Sequence, residues 1–531
     1  MRQWAAMGAA RPKQGDGPSI VDSLGVGMRV EIRVGRSRFR RWHQKLAARL
    51  RRDPDWQVVI RVVPGEAALP GSVEALLSLE RLVLRHSKDG LFDRLPAPLP
   101  ESQSPSDFVP DAIVDCGGDV DQIAVGASTR VLRPLFGGLA SEQALVAALL
   151  SGSIPDIGIE DVRSGRLVAS GRPGGGSPGL TGGVEAVLSR ATLLIERALK
   201  YPEAQASGTR VGGPPDRHVL SFALRNLAAD CARAIFHLCF RSPHWRIGWR
   251  IHDGPGVLER GDLGGPRWTV LKDSGRSFFA DPFPVYWNGK TFLFFEEFEY
   301  RLGRGVISAI EFDAAGPVGP PIRVLEEPWH LSYPFVIEHG DALFMIPEAS
   351  LTGEVPLYRC TAFPDRWERV GSIIEGIEAA DCTLFRHDGL LWMMSATREG
   401  VGGYSDTLSI HYAPDIFGPW TEHDHRPILV DVGAARPAGR VVHKEGRLWR
   451  PIQDCTQGYG RGLVLAEITR LDTRRFEQTL RGRVLPGPSW PGRRLHTLNR
   501  AGRMESIDGA TTNPRLPMVR ALPNPWAADP E

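Results

Sequence analysis

The 531-residue chain lacks most of the marks that would place it in a specialised class. Its 64 basic and 62 acidic residues leave a formal net charge of only +2, so no global field draws it to nucleic acid. Its six cysteines, Cys116, Cys231, Cys239, Cys360, Cys382 and Cys455, form no Cys-x-x-Cys and no zinc-finger spacing. With no apolar leader before them, they predict reduced thiols and a cytoplasmic setting. The histidines include no His-Glu-x-x-His, and Glu422-His423-Asp424-His425 reads as an exposed loop, not a metal site. No Gly-x-Gly-x-x-Gly follows the first strand, and Gly171–Gly183 reads as a loop without a phosphate cradle. No cofactor and no metal is therefore expected. Long apolar runs are missing too: His218–Phe240 is interrupted by Arg225, Asp230 and Arg233, which argues against a membrane span and leaves peripheral membrane contact through 218–240, or packing between domains, as its use. Residues 1–27 are rich in Gly and Pro and read as a disordered arm, or as an upstream mis-start before Met28.

What is present falls into two halves. From Met28 to Lys200, strands alternate with helices: an alternating strand at Met28–Val34, a helix over Arg38–Arg52 with Phe39, Trp42, Leu46 and Leu50 on one face, a strand at Val58–Val63, a helix near Val73–Leu84 and a strand at Asp111–Cys116. A helix at Ser141–Leu150, a strand pair within Ile157–Ala169 and a helix at Val184–Lys200 complete the series. That order predicts a three-layer α/β domain over 28–200 with a mostly parallel sheet. Residues 201–244 read as a linker and an amphipathic helix, and 510–531 as a disordered Pro-rich tail.

Between 245 and 509 one segment recurs every fifty residues or so, the signature of propeller blades. Its copies are Ala280-Asp281-Pro282 to Glu296, Ser332-Tyr333-Pro334 to Glu348, Ala380-Asp381-Cys382 to Ala396, Pro437-Ala438-Gly439 to Gln453, and a faint fifth from Arg494 to Gly509. Each is a hairpin, turning at Asn288-Gly289, Gly340-Asp341, Asp388-Gly389 or Glu445-Gly446, where positive φ is needed. An aromatic core column follows at Phe292, Phe344, Trp392 and Trp449, with Glu505 in the fifth copy. Tight two-residue turns would set Asp281 opposite Glu296, Tyr333 opposite Glu348, Asp381 opposite Ala396, Ala438 opposite Gln453 and Arg494 opposite Gly509. If those ends face the axis, Asp281, Glu296, Glu348 and Asp381 share one mouth with Arg440, Gln453 and His496. Clustered carboxylates suit acid/base work or sugar hydroxyls. The plainer alternative is that they cap turns or pair with Arg276, Arg436 and Arg440.

Two resemblances bear on this. Residues 28–200 resemble the formyltransferase fold through their element order, Pro110-Asp111-Ala112-Ile113-Val114-Asp115 and the Gly165-Arg166-Leu167-Val168-Ala169-Ser170-Gly171 hairpin. The family's Asn, His and Asp are missing: no histidine lies between His86 and His218, and Val131–Gly138 carries no base, which implies a domain without formyl transfer. Residues 245–509 resemble the N-terminal propeller of glucosamine inositolphosphorylceramide transferases through Phe279-Ala280-Asp281-Pro282-Phe283, Tyr333-Pro334-Phe335, Met345-Ile346-Pro347-Glu348, Asp381-Cys382-Thr383-Leu384-Phe385, Arg450-Pro451-Ile452-Gln453-Asp454-Cys455 and His496-Thr497-Leu498-Asn499. That propeller is similar to five-bladed glycoside hydrolases of family 43. The likeness implies a catalytic-base position at Asp281, with Tyr333 and Asp381 departing from the family's second-blade Asp and third-blade Glu and Glu348 as an out-of-place acid. The catalytic candidates are therefore Asp281, Glu348 and Asp381, and the substrate-binding candidates Glu296, Tyr333, Arg440, Gln453 and His496.

The expected fold is a formyltransferase/Rossmann-like α/β domain followed by a five-bladed β-propeller. The expected function is glycan-related: binding or processing a sugar or glycoconjugate in cell-envelope or exopolysaccharide metabolism, with no nucleic-acid partner. An active family 43-type hydrolase, a non-catalytic scaffold and a transferase acting at the α/β domain are the alternatives.

Overall fold

The structure, a computed structural model, describes residues 27–63, 69–83, 90–96, 108–117, 128–176, 178–201 and 219–515. The expected arm over 1–26 and the linker over 202–218 lie outside these residues, as does the tail from 516. Residues 510–514, expected in that tail, instead complete a strand.

The N-terminal unit follows β1 (Arg29–Gly35), α1 (Arg41–Leu50), β2 (Gln57–Val63), α2 (Gly71–Val83), β3 (Ala112–Asp115), β4 (Arg130–Phe136), α3 (Glu142–Leu150), β5 (Ile157–Asp161), β6 (Arg166–Gly171) and α4 (Gly179–Lys200). Its sheet has the order β2-β1-β3-β4-β5-β6. The first four strands are parallel, and β5 and β6 form an antiparallel hairpin at one edge. Val30, Ile32 and Val34 are fully buried, as the buried strands of a parallel sheet require. Strand β4 escapes sequence reading because Arg133 and Pro134 interrupt its pattern. α4 starts five residues earlier than its apolar periodicity suggests, so Gly179–Gly183 is helical and not loop; Glu80 caps that start, accepting from the Leu180 and Thr181 N–H groups at 2.8 Å each.

α5 (Val219–Cys239) leads directly into β7 (Phe240–Ile251) and β8 (Thr269–Val270). Blade one is β9–β12 (Ser277–Trp287, Lys290–Glu299, Arg304–Asp313, Gly316–Leu325) and blade two β13–β16 (Ser332–His339, Ala342–Glu348, Glu354–Ala362, Arg366–Glu375). Blade three is β17–β21 (Ala379–His387, Leu390–Thr397, Thr407–Ala413, Thr421–Glu422, Leu429–Val430) and blade four β22–β25 (Val442–Lys444, Arg447–Asp454, Gly462–Leu471, Phe476–Val484). The fifth blade closes the ring: β26 (Leu498–Ala501) and β27 (Met504–Pro514), from the end of the chain, pair with β7 and β8 from the start of the region. Five four- or five-stranded antiparallel sheets make a five-bladed β-propeller.

The turns adopt the positive φ their sequences demand, at Asn288 (50°) and Gly289 (80°), Asp388 (47°) and Gly389 (78°), and Glu445 (50°) and Gly446 (72°). Phe292, Phe344 and Trp392 are buried, but Trp449 is half-buried and Leu448 takes the core place beside it. Glu505, in the fifth position of that column, is a buried strut that binds Arg250 at 2.5 Å and the Val257 N–H at 2.7 Å.

The α/β unit docks on loops at one end of blade three. Arg190 of α4 grips Asp406 with Nε at 3.0 Å and a terminal nitrogen at 2.7 Å, and Gly174 N–H donates to the same carboxylate at 2.7 Å. Arg172 exchanges backbone hydrogen bonds with Val430 and Val432, extending the β6 edge to the propeller. His423 and His425 belong to this junction and do not form an exposed loop: His423 is buried, its Nε2 lies 2.9 Å from the Asp472 carbonyl, and His425 packs on Tyr201 at 4.1 Å.

Candidate functional site

The innermost strands of blades one to three share an irregularity. At Asp281, Tyr333 and Asp381 the backbone takes φ of 50°, 43° and 55°, and the ladder with the next strand slips at that point in each blade. These are bulges built on non-glycine residues, a costly conformation that the surrounding structure has to hold. They also correct the expected pairing. Glu296 lies opposite Ala280, Glu348 opposite Ser332, and the fifth hairpin turns at Gly502, so its register differs by two residues from the one that pairs Arg494 with Gly509.

The bulges stitch the blades together around the axis. Asp281 N–H donates to Asp508 Oδ2 of blade five at 3.2 Å, Asp281 Oδ2 accepts the Tyr333 N–H of blade two at 3.3 Å, and Asp281 Oδ1 accepts the Thr497 hydroxyl at 2.7 Å. Asp508 Oδ1 accepts the N–H groups of His496 and Thr497, while its Oδ2 lies 2.5 Å from His496 Nδ1. Across the axis, Asp381 Oδ2 accepts Arg436 Nε at 2.6 Å and Gln453 Nε2 at 2.8 Å. Glu348 lies 3.8 Å from the other end of the Arg436 guanidinium and accepts the Ser350 hydroxyl at 3.0 Å. Glu296 lies 3.6 Å from His330 Nε2.

Five carboxyl groups thus face one guanidinium, Arg436, and two imidazoles, His496 and His330. Burial raises Asp381 to about 7, with Arg436 opposing the shift and Glu348 adding to it. Burial likewise raises Asp281, against the pull of His496, and raises Glu296 well above the carboxylate range, reinforced by Asp281 and Glu348. Burial acts to lower His496, but the Asp508 and Asp281 carboxylates outweigh it and raise the imidazole above its usual value. Near neutral pH the cluster therefore holds protons on some carboxyls and charge on others. It can both donate hydrogen bonds to oxygen and accept them from hydroxyl or ammonium groups.

Of the residues marked from sequence, Asp281, Glu296, Glu348, Asp381, Gln453 and His496 come together. Tyr333 and Arg440 do not face the cluster as sugar contacts. The Tyr333 side chain is fully buried, its hydroxyl lying 2.8 Å from that of Thr383 and its ring meeting Phe283 edge-on at 4.7 Å. Arg440 runs down the axis, donates to the Val336 carbonyl at 2.7 Å and lies over the Phe335 ring at 4.8 Å. Arg436, four residues earlier, makes the ion pair instead. Arg436 enters the sequence reading only through the plainer ion-pair alternative, which its contact with Asp381 bears out, Thr497 only within the His496-Thr497-Leu498-Asn499 motif, and Asp508 was missed. So was an aromatic wall: Trp245 stacks on His496 at 3.8 Å, Tyr459 meets both rings, and Arg436 lies over half-buried Tyr459 at 4.8 Å. The one signal available was the repeat itself, since 436 immediately precedes its fourth copy and 508 lies within its fifth. Asp281, His496 and Asp508 are the one set among the described residues whose ligating atoms lie within 4.8 Å of one another, the spacing a cation would need; here they satisfy each other.

Residues 269–506 match the family described as glucosamine inositolphosphorylceramide transferase 1, N-terminal. The propeller resembles that domain. The glucosamine inositolphosphorylceramide transferase 1 of Oryza sativa subsp. indica is 34% identical over 238 residues, covering 42% of this chain and 31% of the relative. That of Arabidopsis thaliana is 32% identical over 231 residues, covering 41% and 30%. The chain thus spans about a third of the length of these curated relatives. Among solved structures, Zg3597, a family 117 glycoside hydrolase of Zobellia galactanivorans, aligns with a TM-score of 0.33 at 12% identity, covering 51% of this chain and 90% of that one. The catalytic domain of the Coprinopsis cinerea GH62 α-L-arabinofuranosidase aligns with a TM-score of 0.33 at 14% identity, covering 44% and 81%.

Proposed function

We propose that the axial mouth binds a sugar of a glycoconjugate and that an amino sugar suits it best. The observation that carries this reading is the excess of carboxyl groups, Asp281, Glu296, Glu348, Asp381 and Asp508, over the cations Arg436 and His496 in one buried cluster beside half-buried Tyr459. An ammonium group would convert the proton-holding carboxyls into charged partners, and an aromatic face beside them is the usual platform for a sugar ring. The name of the matching relatives, which joins glucosamine to inositolphosphorylceramide, supports the same class of ligand.

Hydrolysis is supported less well. Asp281, the position implied as base, is 5% exposed, and both its oxygens accept from the protein. Asp381 and Glu348 lie against one guanidinium, that of Arg436, close enough for Glu348 to raise Asp381, whereas an inverting pair needs carboxyls about 6.5–9.5 Å apart to admit water. The α/β unit, with its parallel strands and antiparallel edge hairpin, is compatible with a formyltransferase-like origin, and we assign it a structural role beside the mouth.

The test is calorimetric titration of the full chain with glucosamine, N-acetylglucosamine, glucose and soluble glucosaminyl-inositol phosphate. Binding of the amino sugars, weakened in Asp381→Asn and as pH falls from 8 to 5, is the expected result. Equal binding of glucose and glucosamine would overturn the amino-sugar reading, and no heat with any of them would overturn the mouth as a sugar site.

A further inference from the structure

α5 turns its apolar side outward. Leu220, Leu224, Leu227, Cys231 and Leu238 recur at spacings of three, four or seven and so lie along one stripe, with Ile235 on its edge. All are exposed, Leu220 and Leu238 at 72%. The opposite side of the first half of the helix, through Val219, Phe222 and Ala223, packs on the core of the α/β unit. α2, which packs beside α5, adds Leu79, Leu82 and Val83, all more than half exposed. A surface helix ordinarily buries its apolar stripe. Two neighbouring helices that both expose one form a broad aliphatic patch, larger than single surface leucines would give.

Three observations select the occupant. The patch is contributed by two helices and is not a single seam, and the positions flanking the α5 stripe, Ser221, Ala223, Ala228, Asp230, Ile235 and His237, hold one acid and no Lys or Arg, so the opposite-charge pairs that fix a helix–helix zipper are missing. The segment from α5 to the start of β7 carries Arg225, Arg233 and Arg241 against the one acid Asp230, a net positive charge that favours an anionic over a neutral surface, while Arg225 and Arg241 also donate to the Leu150 and Gly275 carbonyls. The patch is also continuous with the mouth. β7 begins where α5 ends, and its Phe240–Arg246 end pairs with the Gly509–Pro514 end of β27, beside His496 and Asp508. Trp245, six residues beyond the helix, stacks on His496. The apolar helix therefore joins the propeller on the face that carries the cluster. No helix among the described residues is long and apolar enough to cross a membrane, so a face lying on the surface is the geometry open to α5.

We infer that α5, with the exposed face of α2, docks the protein on an anionic phospholipid bilayer with the propeller mouth turned toward the lipid headgroups. The inference deepens the sugar-binding reading, on which its account of the mouth rests: a sugar carried on a ceramide projects from a bilayer, and this face would bring the mouth to it.

The experiment is flotation of the full chain with vesicles of phosphatidylcholine alone or mixed with phosphatidylglycerol, in parallel with sedimentation velocity without lipid. Flotation with the mixed vesicles, weaker with phosphatidylcholine alone and reduced at least about tenfold in the double variant Leu224→Glu/Leu227→Glu at unchanged melting temperature, is the expected result. Leu220→Ser/Leu238→Ser, a milder change at the most exposed positions, gives the same direction should the charged pair impair folding. A protein that stays at the bottom of the gradient with both vesicles overturns the inference. So does a lipid-free dimer that the same substitutions dissociate, because the face would then belong to a second copy. Asp381→Asn separates the two readings: it alters sugar binding and leaves flotation unchanged, while the leucine variants leave titration with soluble glucosaminyl-inositol phosphate unchanged.

Discussion

Asp281 and Asp381 occupy the same place in two copies of one repeat, with the same left-handed backbone and the same slip in the ladder, yet they are wired in opposite ways. Asp281 spends both oxygens on donors that hold the ring together, the Tyr333 N–H and the Thr497 hydroxyl, and shares charge with His496 and Asp508. Asp381 receives a guanidinium and an amide on one oxygen and leaves the other toward Glu348. The scaffold fixes where a carboxyl sits; the neighbouring blade decides what it does. On this view the Asp281 side is the clasp of the propeller and the Asp381 side is its ligand-facing half.

The sharpest way to break that division is Arg436→Ala. It leaves buried Asp381 and half-buried Glu348 without their cation, and removing one partner of a buried pair costs about 3–5 kcal/mol. Denaturant unfolding should show that loss. A change below about 1 kcal/mol would mean that water reaches the pair freely and that the Asp381 side is not an enclosed network.

Exchanging each aspartate for asparagine tests the comparison directly. In Asp281→Asn an amide nitrogen must turn toward either the Tyr333 N–H or the Thr497 hydroxyl, and His496 loses half of its counter-charge; a loss of about 1–3 kcal/mol is expected. In Asp381→Asn the amide oxygen can keep both Arg436 and Gln453 while its nitrogen donates to Glu348, so stability at neutral pH should change by less than about 1 kcal/mol. The reverse order in urea melts would sink the assignment of clasp and ligand side.

The pH dependence separates them further. Burial carries Asp381 from 3.8 unfolded to about 7 folded, so between those values the folded state binds the extra proton. Stability from this group is complete below about pH 4 and is lost as pH rises through 7. His496, raised when folded, acts in the same direction, its contribution fading as pH climbs through its raised pKa. The melting temperature should therefore fall between pH 5 and pH 8, and Asp381→Asn should flatten the fall. A wild-type protein that gains stability over that range would show that Asp381 is ionised throughout.

How much of this was legible beforehand follows from what a repeat can and cannot encode. Period, turn dipeptides and the aromatic column are local patterns, and they placed the hairpins of blades one to four. The α/β order was legible for the same reason, except at β4, where Arg133 and Pro134 hide a buried strand. The acids could be grouped because a propeller sends equivalent positions to one axis. Pairing by equal sums could not foresee the bulges, because an extra residue at 281, 333 or 381 leaves no mark in composition. Choosing Arg440 over Arg436 failed for a related reason: in blade four Pro437 bridges Ile452 while Val442 pairs with Trp449, a slip of two residues that leaves Arg436 beside the acids and carries Arg440 down the axis.

The smallest effect concerns Tyr459, which stands outside both hydrogen-bonded halves and touches each through its ring: Arg436 lies over it at 4.8 Å, and His496 meets it at 5.2 Å. It is half-buried, so its contribution to folding is modest, and Tyr459→Leu should cost less than about 1 kcal/mol. If the ring is the platform for a sugar, the same substitution should weaken glucosamine binding several-fold, with an upper bound of about tenfold for a contact of this kind, while Tyr459→Phe restores most of it. Equal loss in both variants would assign the effect to the hydroxyl. No loss in either would place the ligand on the Glu296 and His330 side of the mouth, where His330 is the half-buried ring at hand.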